Sequence, residues 1–161
     1  MTSESDLRDL AERVAERMLA SQRRLVSAES CTGGWVAKVC TDLPGSSRWF
    51  EGGFVTYSNA AKVRDLGVSS RTLEMHGAVS EPVVLEMARG ALRVSGADLA
   101  VSVSGIAGPD GGSVEKPVGT VWLAVGRRDA EARAELQRFS GDRENIRRSS
   151  VARALQLLLG A

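Results

Sequence analysis

The chain is poor in the residues from which most active sites are built. Among 161 residues it holds one histidine, two cysteines, one tyrosine and, of 21 basic residues, only three lysines. Cys31 and Cys40 are too few for a disulfide framework, and with His76 alone beside them they suggest no zinc set. A single histidine without an adjacent acid also leaves a Ser-His-Asp triad unbuildable around it. No apolar run approaches the roughly 18 residues that cross a bilayer. The N-terminal stretch MTSESDLRDLAERVAERMLA carries charges through its apolar positions, as signal peptides do not. The expectation is a cytoplasmic protein with no membrane partner. A net charge of +1 and 4% aromatic residues give neither the basic excess nor the stacking rings of a nucleic-acid binder.

What is present is an ordinary globular composition, 43% hydrophobic, in a length that suits one domain over residues 1–161. Leu7, Leu10, Ala11, Val14, Met18 and Leu19 recur at helical spacing and predict an amphipathic helix over 3–21. A short buried strand is predicted at 24–28, followed by a helix from about Thr32 that Leu43-Pro-Gly45 ends. A second strand is expected at 53–57, then a short helix capped by Asn59 and carrying Lys62 in its first turn. Ser70 and Ser80 are further N-cap candidates, the second opening a helix from Glu81 to about Val94. Leu99–Val103 is a strand running into a glycine-rich loop, Gly105–Gly112. Residues 118–125 and 133–139 form an antiparallel pair, and Asp142 caps a last helix with Ile146, Val151, Ala154, Leu155 and Leu158 inward. The order predicts a three-layer α/β/α sandwich around a mixed, partly antiparallel sheet of about five strands. A symmetric homodimer or a higher homo-oligomer is the expected assembly.

Open α/β sheets bind ligands beyond the carboxyl ends of their strands. Three segments stand at such ends: Glu29–Gly34, Tyr57–Lys62 and Ser104–Gly112. In the first, free N–H groups and a positive helix end suit an anion or a developing oxyanion, though a tight turn capped by Thr32 explains it equally. A chain this biased to Arg would use Arg for a solvated charge, and only Lys can give up its proton. Lys62 is therefore the candidate for a task that needs a neutral amine. Lys38 falls mid-helix and reads as a surface residue; Lys116 stands in a loop where a phosphate contact and a structural one are equally open. Tyr57 closes a buried strand, as a core ring or as a hydroxyl reaching the Ser30–Lys62 pair. Cys31 is a rival nucleophile or a small buried hydrophobe. His76 reads as an aid to a helix C-terminus. The Gly105–Gly112 loop either closes over a ribose phosphate or is a long surface turn. Arg143 can grip phosphate bidentately, while Arg147, Arg148 and Arg153 read as the wet face of the last helix.

Taken together, Ala28-Glu-Ser-Cys-Thr-Gly-Gly34, Phe54-Val-Thr-Tyr-Ser-Asn59 with Lys62, His76-Gly-Ala-Val-Ser80, Val103-Ser-Gly-Ile-Ala-Gly-Pro-Asp-Gly-Gly112 and Lys116-Pro-Val-Gly-Thr120 resemble the CinA C-terminal domain family. The resemblance runs in order from about residue 5 to 158, and it is similar to the stand-alone nicotinamide-nucleotide amidohydrolases of that family. It implies hydrolysis of nicotinamide mononucleotide, a small-molecule nucleotide substrate, to nicotinate mononucleotide and ammonia in pyridine-nucleotide salvage. It implies Ser30 as nucleophile, with Tyr57 and Lys62 matching the family's Tyr and Lys, and no metal or other cofactor. Lys62 is then the base, directly or through Tyr57. Backbone N–H groups near Ser30, joined by Gly105 or Ile106, hold the oxyanion. Cys31, Thr32, Gly33, Gly34, Ser104, the Gly105–Gly112 loop and Arg143 are expected around the substrate. Two alternatives remain at this point: a nucleotide-binding or regulatory module without turnover, and a competence- or damage-associated accessory protein.

Overall fold

The computed structural model describes residues 2–161. Its helices are α1 (Glu4–Ser21), α2 (Trp35–Thr41), α3 (Asn59–Leu66), α4 (Ser70–His76), α5 (Glu81–Ser95) and α6 (Arg143–Leu159). Its strands are β1 (Leu25–Glu29), β2 (Phe50–Val55), β3 (Leu99–Gly105), β4 (Thr120–Arg127) and β5 (Ala130–Arg138). They form one sheet in the order β2-β1-β3-β4-β5, with β1 parallel to both neighbours and β3, β4 and β5 antiparallel in turn. The three-layer α/β/α architecture and mixed five-stranded sheet are as expected.

The layers follow from alternation along the central strands, whose side chains point to opposite faces with a period of two. Leu25 of β1 and Leu99, Val101 and Val103 of β3 join Leu7, Val14, Met18, Val36, Ile146 and Leu155 in one core. Val26, Ala28 and Ala100 turn to the other face, against Leu66, Val83, Val84, Met87 and Ala88. The alanines let α5 lie close to the sheet. Ser102 Oγ donates to the Val84 carbonyl there, at 2.6 Å.

Several boundaries differ from the sequence reading. The turn after β1 does not become helical at Thr32, because Gly33 and Gly34 take φ of +62° and +94°, so α2 starts at Trp35. β2 begins and ends earlier than expected, at Phe50 and Val55. Ser58 rather than Asn59 caps α3, accepting from Ala61 N–H at 3.0 Å, and Ser69 rather than Ser70 caps α4. Ser80 holds the N-cap position of α5, but its hydroxyl donates to the Gly77 carbonyl instead of capping. Asp142 caps α6 through Asn145 N–H, as expected.

α3, which carries Lys62, is held against α5 by one close approach. A Cβ added to Gly90 would stand 2.0 Å from the Leu66 carbonyl oxygen. Replacing Gly by Ala inside a helix ordinarily stabilises by about 1 kcal/mol. Here the clash is with backbone, which no rotamer relieves, and overpacking of this kind costs about 1–3 kcal/mol. At a 2.0 Å approach the upper end of that range applies, so the net loss is about 2 kcal/mol and Gly90→Ala is expected to lower the melting temperature by about 4 °C or more in a thermal melt; an unchanged or raised value would contradict the packing.

Candidate active site

The parallel order β2-β1-β3 brings the segments that follow three strands to one edge of the sheet. Ser30 comes directly after β1, and its N–H bonds the Val103 carbonyl of β3 at 2.9 Å. On the other side Thr56 N–H, just past β2, bonds the Glu29 carbonyl at 2.9 Å. The chain then turns into α3, whose first turn points Lys62 back beneath the strand ends.

Lys62 is completely buried. Its Nζ lies 3.0 Å from Ser30 Oγ, 2.8 Å from the Thr56 carbonyl and 3.2 Å from the Tyr57 carbonyl. No carboxylate pairs with it among the described residues. Burial without a counter-ion disfavours the ammonium and lowers the amine to about 8, with the nearby Cys31 thiol opposing slightly. A neutral amine has two N–H bonds and one lone pair. The Nζ donates to all three oxygens; once it loses a proton, two of them still take its N–H bonds and its lone pair can turn to the Ser30 hydroxyl.

Glu29, the last residue of β1, is also fully buried. Its Oε1 accepts from Thr32 Oγ1 at 2.7 Å and Val36 N–H at 2.8 Å; its Oε2 accepts from Ala37 N–H at 3.0 Å and Ser27 Oγ at 3.1 Å. The positive end of α2, expected to receive an anion, is thus occupied by the protein's own carboxylate. Thr32 is likewise a structural partner of Glu29, and its hydroxyl is not free for a ligand. Neither role was expected; the visible sign of one is an acid closing a short strand of mostly apolar residues.

Other expected site residues are redistributed. Tyr57 is not a core ring: it is 60% exposed, and its hydroxyl accepts from Arg143 Nη2 at 3.1 Å rather than meeting Ser30 or Lys62. Its backbone carbonyl, not its phenol, touches the pair. Arg143 also donates from Nη1 to the Gly108 carbonyl at 2.7 Å, tying the glycine-rich loop to the segment after β2. Ile106 N–H is committed to the Thr120 carbonyl at 2.9 Å and cannot serve an oxyanion. Gly105 ends β3 opposite Val121, where a Cβ would stand 2.6 Å from Val121 Cγ2. Ser104 is buried with its hydroxyl on the Ala78 carbonyl at 2.8 Å. Lys116 Nζ bonds the His76 carbonyl at 2.7 Å, so it is Lys116 that satisfies the end of α4.

Cys31 lies in the core with its thiol pushed up to about 11 by burial, and so stays protonated at neutral pH. The N–H groups of Cys31 and Thr32 have no acceptor of their own among the described residues. Arg147 is not on a wet face: it reaches the carbonyls of Cys31 and Thr32. Arg153 pairs with Glu135 and Arg148 with Glu144.

The model of the CinA C-terminal domain matches residues 7–161. The chain belongs to that family. Among CinA-domain relatives, the nicotinamide-nucleotide amidohydrolase PncC of Escherichia coli K12 is 58% identical over 156 residues, 97% of this chain and 94% of that protein. The protein of the same name from Pseudomonas putida is 53% identical, over 93% of each chain. The crystal structure of the competence/damage inducible protein CihA from Agrobacterium tumefaciens superposes with a TM-score of 0.94 at 44% identity, covering 96% of this chain and 94% of that one. Among the described residues no helix is long and apolar enough to cross a membrane.

The buried carboxylate gives this CinA domain a stability test independent of activity. In Glu29→Gln one acceptor oxygen becomes an amide that can only donate, and it faces donors on every side. Losing a charged acceptor there costs about 2 kcal/mol or more. The melting temperature is expected to fall by at least about 4 °C; a change below 1 °C would contradict the assigned bonds.

Proposed function

We propose that the protein hydrolyses the carboxamide of nicotinamide mononucleotide to nicotinate mononucleotide and ammonia, in pyridine-nucleotide salvage, with Ser30 as nucleophile and Lys62 as base. One observation carries the mechanism: a fully buried amine without a carboxylate partner stands 3.0 Å from a serine hydroxyl. The names of relatives at 53–58% identity supply the substrate class.

In the first half-reaction, neutral Lys62 takes the Ser30 proton as Oγ forms a bond to the carboxamide carbon. The carbonyl electron pair moves onto its oxygen. The N–H groups of Cys31 and Thr32 are the donors we assign to that oxyanion, in place of Ile106. One such donor is worth about 3–4 kcal/mol of barrier. As the tetrahedral intermediate collapses, the carbon–nitrogen bond breaks and protonated Lys62 returns its proton to the leaving ammonia. Water then attacks the Ser30 ester, with Lys62 again accepting a proton and passing it to Oγ. Arg143, an exposed guanidinium beside Gly108 and Tyr57, is assigned to the nucleotide phosphate.

Ammonia release from the mononucleotide, its riboside and free nicotinamide tests the reading. The mononucleotide is expected to exceed the riboside in kcat/KM by at least about tenfold. No release from any of them would leave a nucleotide-binding module without turnover. Ser30→Ala is expected to abolish the reaction and Cys31→Ala to keep most of it. Lys62→Met and Lys62→Arg are each expected to lose at least about a hundredfold in kcat, because guanidinium cannot give up its proton. The sign of the pH dependence follows from Lys62: below about 8 the amine carries its proton and cannot act as base. The rate should climb about tenfold per pH unit up to that value and then level off. A rate flat from pH 6 to 9 would contradict the base assignment.

A further inference from the structure

We propose that Arg147 is a positioning residue for the nucleophile turn, holding the peptides that follow Ser30 so that their N–H groups face the reacting centre; this rests on the reading of Ser30 given above. Arg147 stands in the first turns of α6, four residues after Arg143. Its Nε donates to the Cys31 carbonyl and its Nη2 to the Thr32 carbonyl, both at 3.0 Å. The guanidinium lies over the Trp35 ring, 5.3 Å from its centroid, and Trp35 opens α2 directly after the turn.

Arg148 also leans over Trp35, 5.5 Å from its centroid, but like Arg153 on the same helix it is paired with a carboxylate. Arg147 has no such partner among the described residues, and both of its hydrogen bonds go to consecutive carbonyls of one tight turn. Those carbonyls are not equivalent. Thr32 O also accepts from Trp35 N–H at 3.2 Å, but Cys31 O has Arg147 as its one donor among the described residues.

A trans peptide carries its carbonyl and N–H on opposite sides of a rigid plane. Fixing the Cys31 carbonyl therefore fixes the direction of Thr32 N–H, and a cation on the oxygen makes that N–H a stronger donor. The preceding plane is fixed from within, since Ser30 O accepts from Gly33 N–H at 3.0 Å, which sets Cys31 N–H. Both unpaired N–H groups thus lie opposite anchored carbonyls, one anchored locally and one by Arg147. Glu29 holds the same turn from the other end through Thr32 Oγ1 and the start of α2. Without the guanidinium the second plane is free to rotate, and a small misplacement of catalytic dipoles costs large factors in rate.

The test measures kcat and KM for ammonia release in Arg147→Met, Arg147→Lys and Trp35→Leu, together with hydrogen exchange of the backbone over residues 31–36. Arg147→Met is expected to lose at least about tenfold in kcat with KM within about threefold. The pH midpoint should stay near 8, because the Lys62 contacts are untouched. Arg147→Lys should remain at least about fivefold below wild type, since a point charge does not hold two carbonyls in parallel. Trp35→Leu keeps the guanidinium but removes its stacking face, and should lose about threefold; it decides the matter if Arg147→Met does not fold. Exchange over 31–36 should rise in all three variants and stay unchanged elsewhere. A raised KM with unchanged kcat would make Arg147 a substrate contact and overturn the proposal. So would unchanged kinetics, or full recovery by Arg147→Lys. If wild type released no ammonia, the functional reading alone would fail. Unaltered exchange in Arg147→Met would then still overturn the anchoring.

Discussion

A buried lysine amine with no counter-ion is the constraint around which the rest of this molecule is arranged. A cation taken out of water is costly unless paired, and the group escapes that cost by giving up its proton. Lys62 is placed where this is easier than in water: fully buried, with the Thr56 and Tyr57 carbonyls and the Ser30 hydroxyl about its Nζ and no carboxylate among them. The placement needs α3 pressed against α5, which Gly90 permits by letting the Leu66 carbonyl approach. It also needs the chain to leave β2 with its carbonyls turned inward at Thr56 and Tyr57. The site is thus a property of how two helices and three strand ends meet.

Ser30 and the turn after it sit between two charges of opposite sign that both act on backbone. Glu29 takes up the N–H groups at the start of α2, so the positive end of that helix is neutralised inside the protein. Arg147 takes up the carbonyls of Cys31 and Thr32. Between them the turn is tied down from both ends, leaving the N–H groups of Cys31 and Thr32 without partners. Negative charge on a substrate must then be met elsewhere, and Arg143 at the surface is the nearer guanidinium to Tyr57 and the glycine-rich loop.

The layers and the sheet composition were legible in the sequence through apolar period and turn residues, and lysine rarity among many arginines singled out Lys62, which the structure buries without a carboxylate partner. Tyr57 was not legible. The strand ends at Val55, so Tyr57 lies two residues past it and is exposed, while Thr56 between them is buried. Arg147 was missed because charge was weighed above spacing. Arg147, Val151, Ala154 and Leu158 fall at helical intervals on the inward stripe of α6, and Arg143 precedes them by one turn. An arginine at the head of an apolar stripe has to find acceptors inside, and here they are the Cys31 and Thr32 carbonyls of the turn after Ser30. The committed N–H of Ile106 depends on strand register, which no local pattern in the sequence specifies.

If burial lowers Lys62 as its surroundings imply, it sheds its proton within reach of neutral pH, and the sequence makes this directly observable. With only Lys38, Lys62 and Lys116 present, protein labelled with 13C at the lysine Cε carbon gives three resonances to follow against pH, with Lys62 identified by its loss in Lys62→Met. This resonance is expected to titrate near 8, well below the ordinary lysine value of about 10.4. A Lys62 resonance that titrates at 10 or above would contradict that lowering.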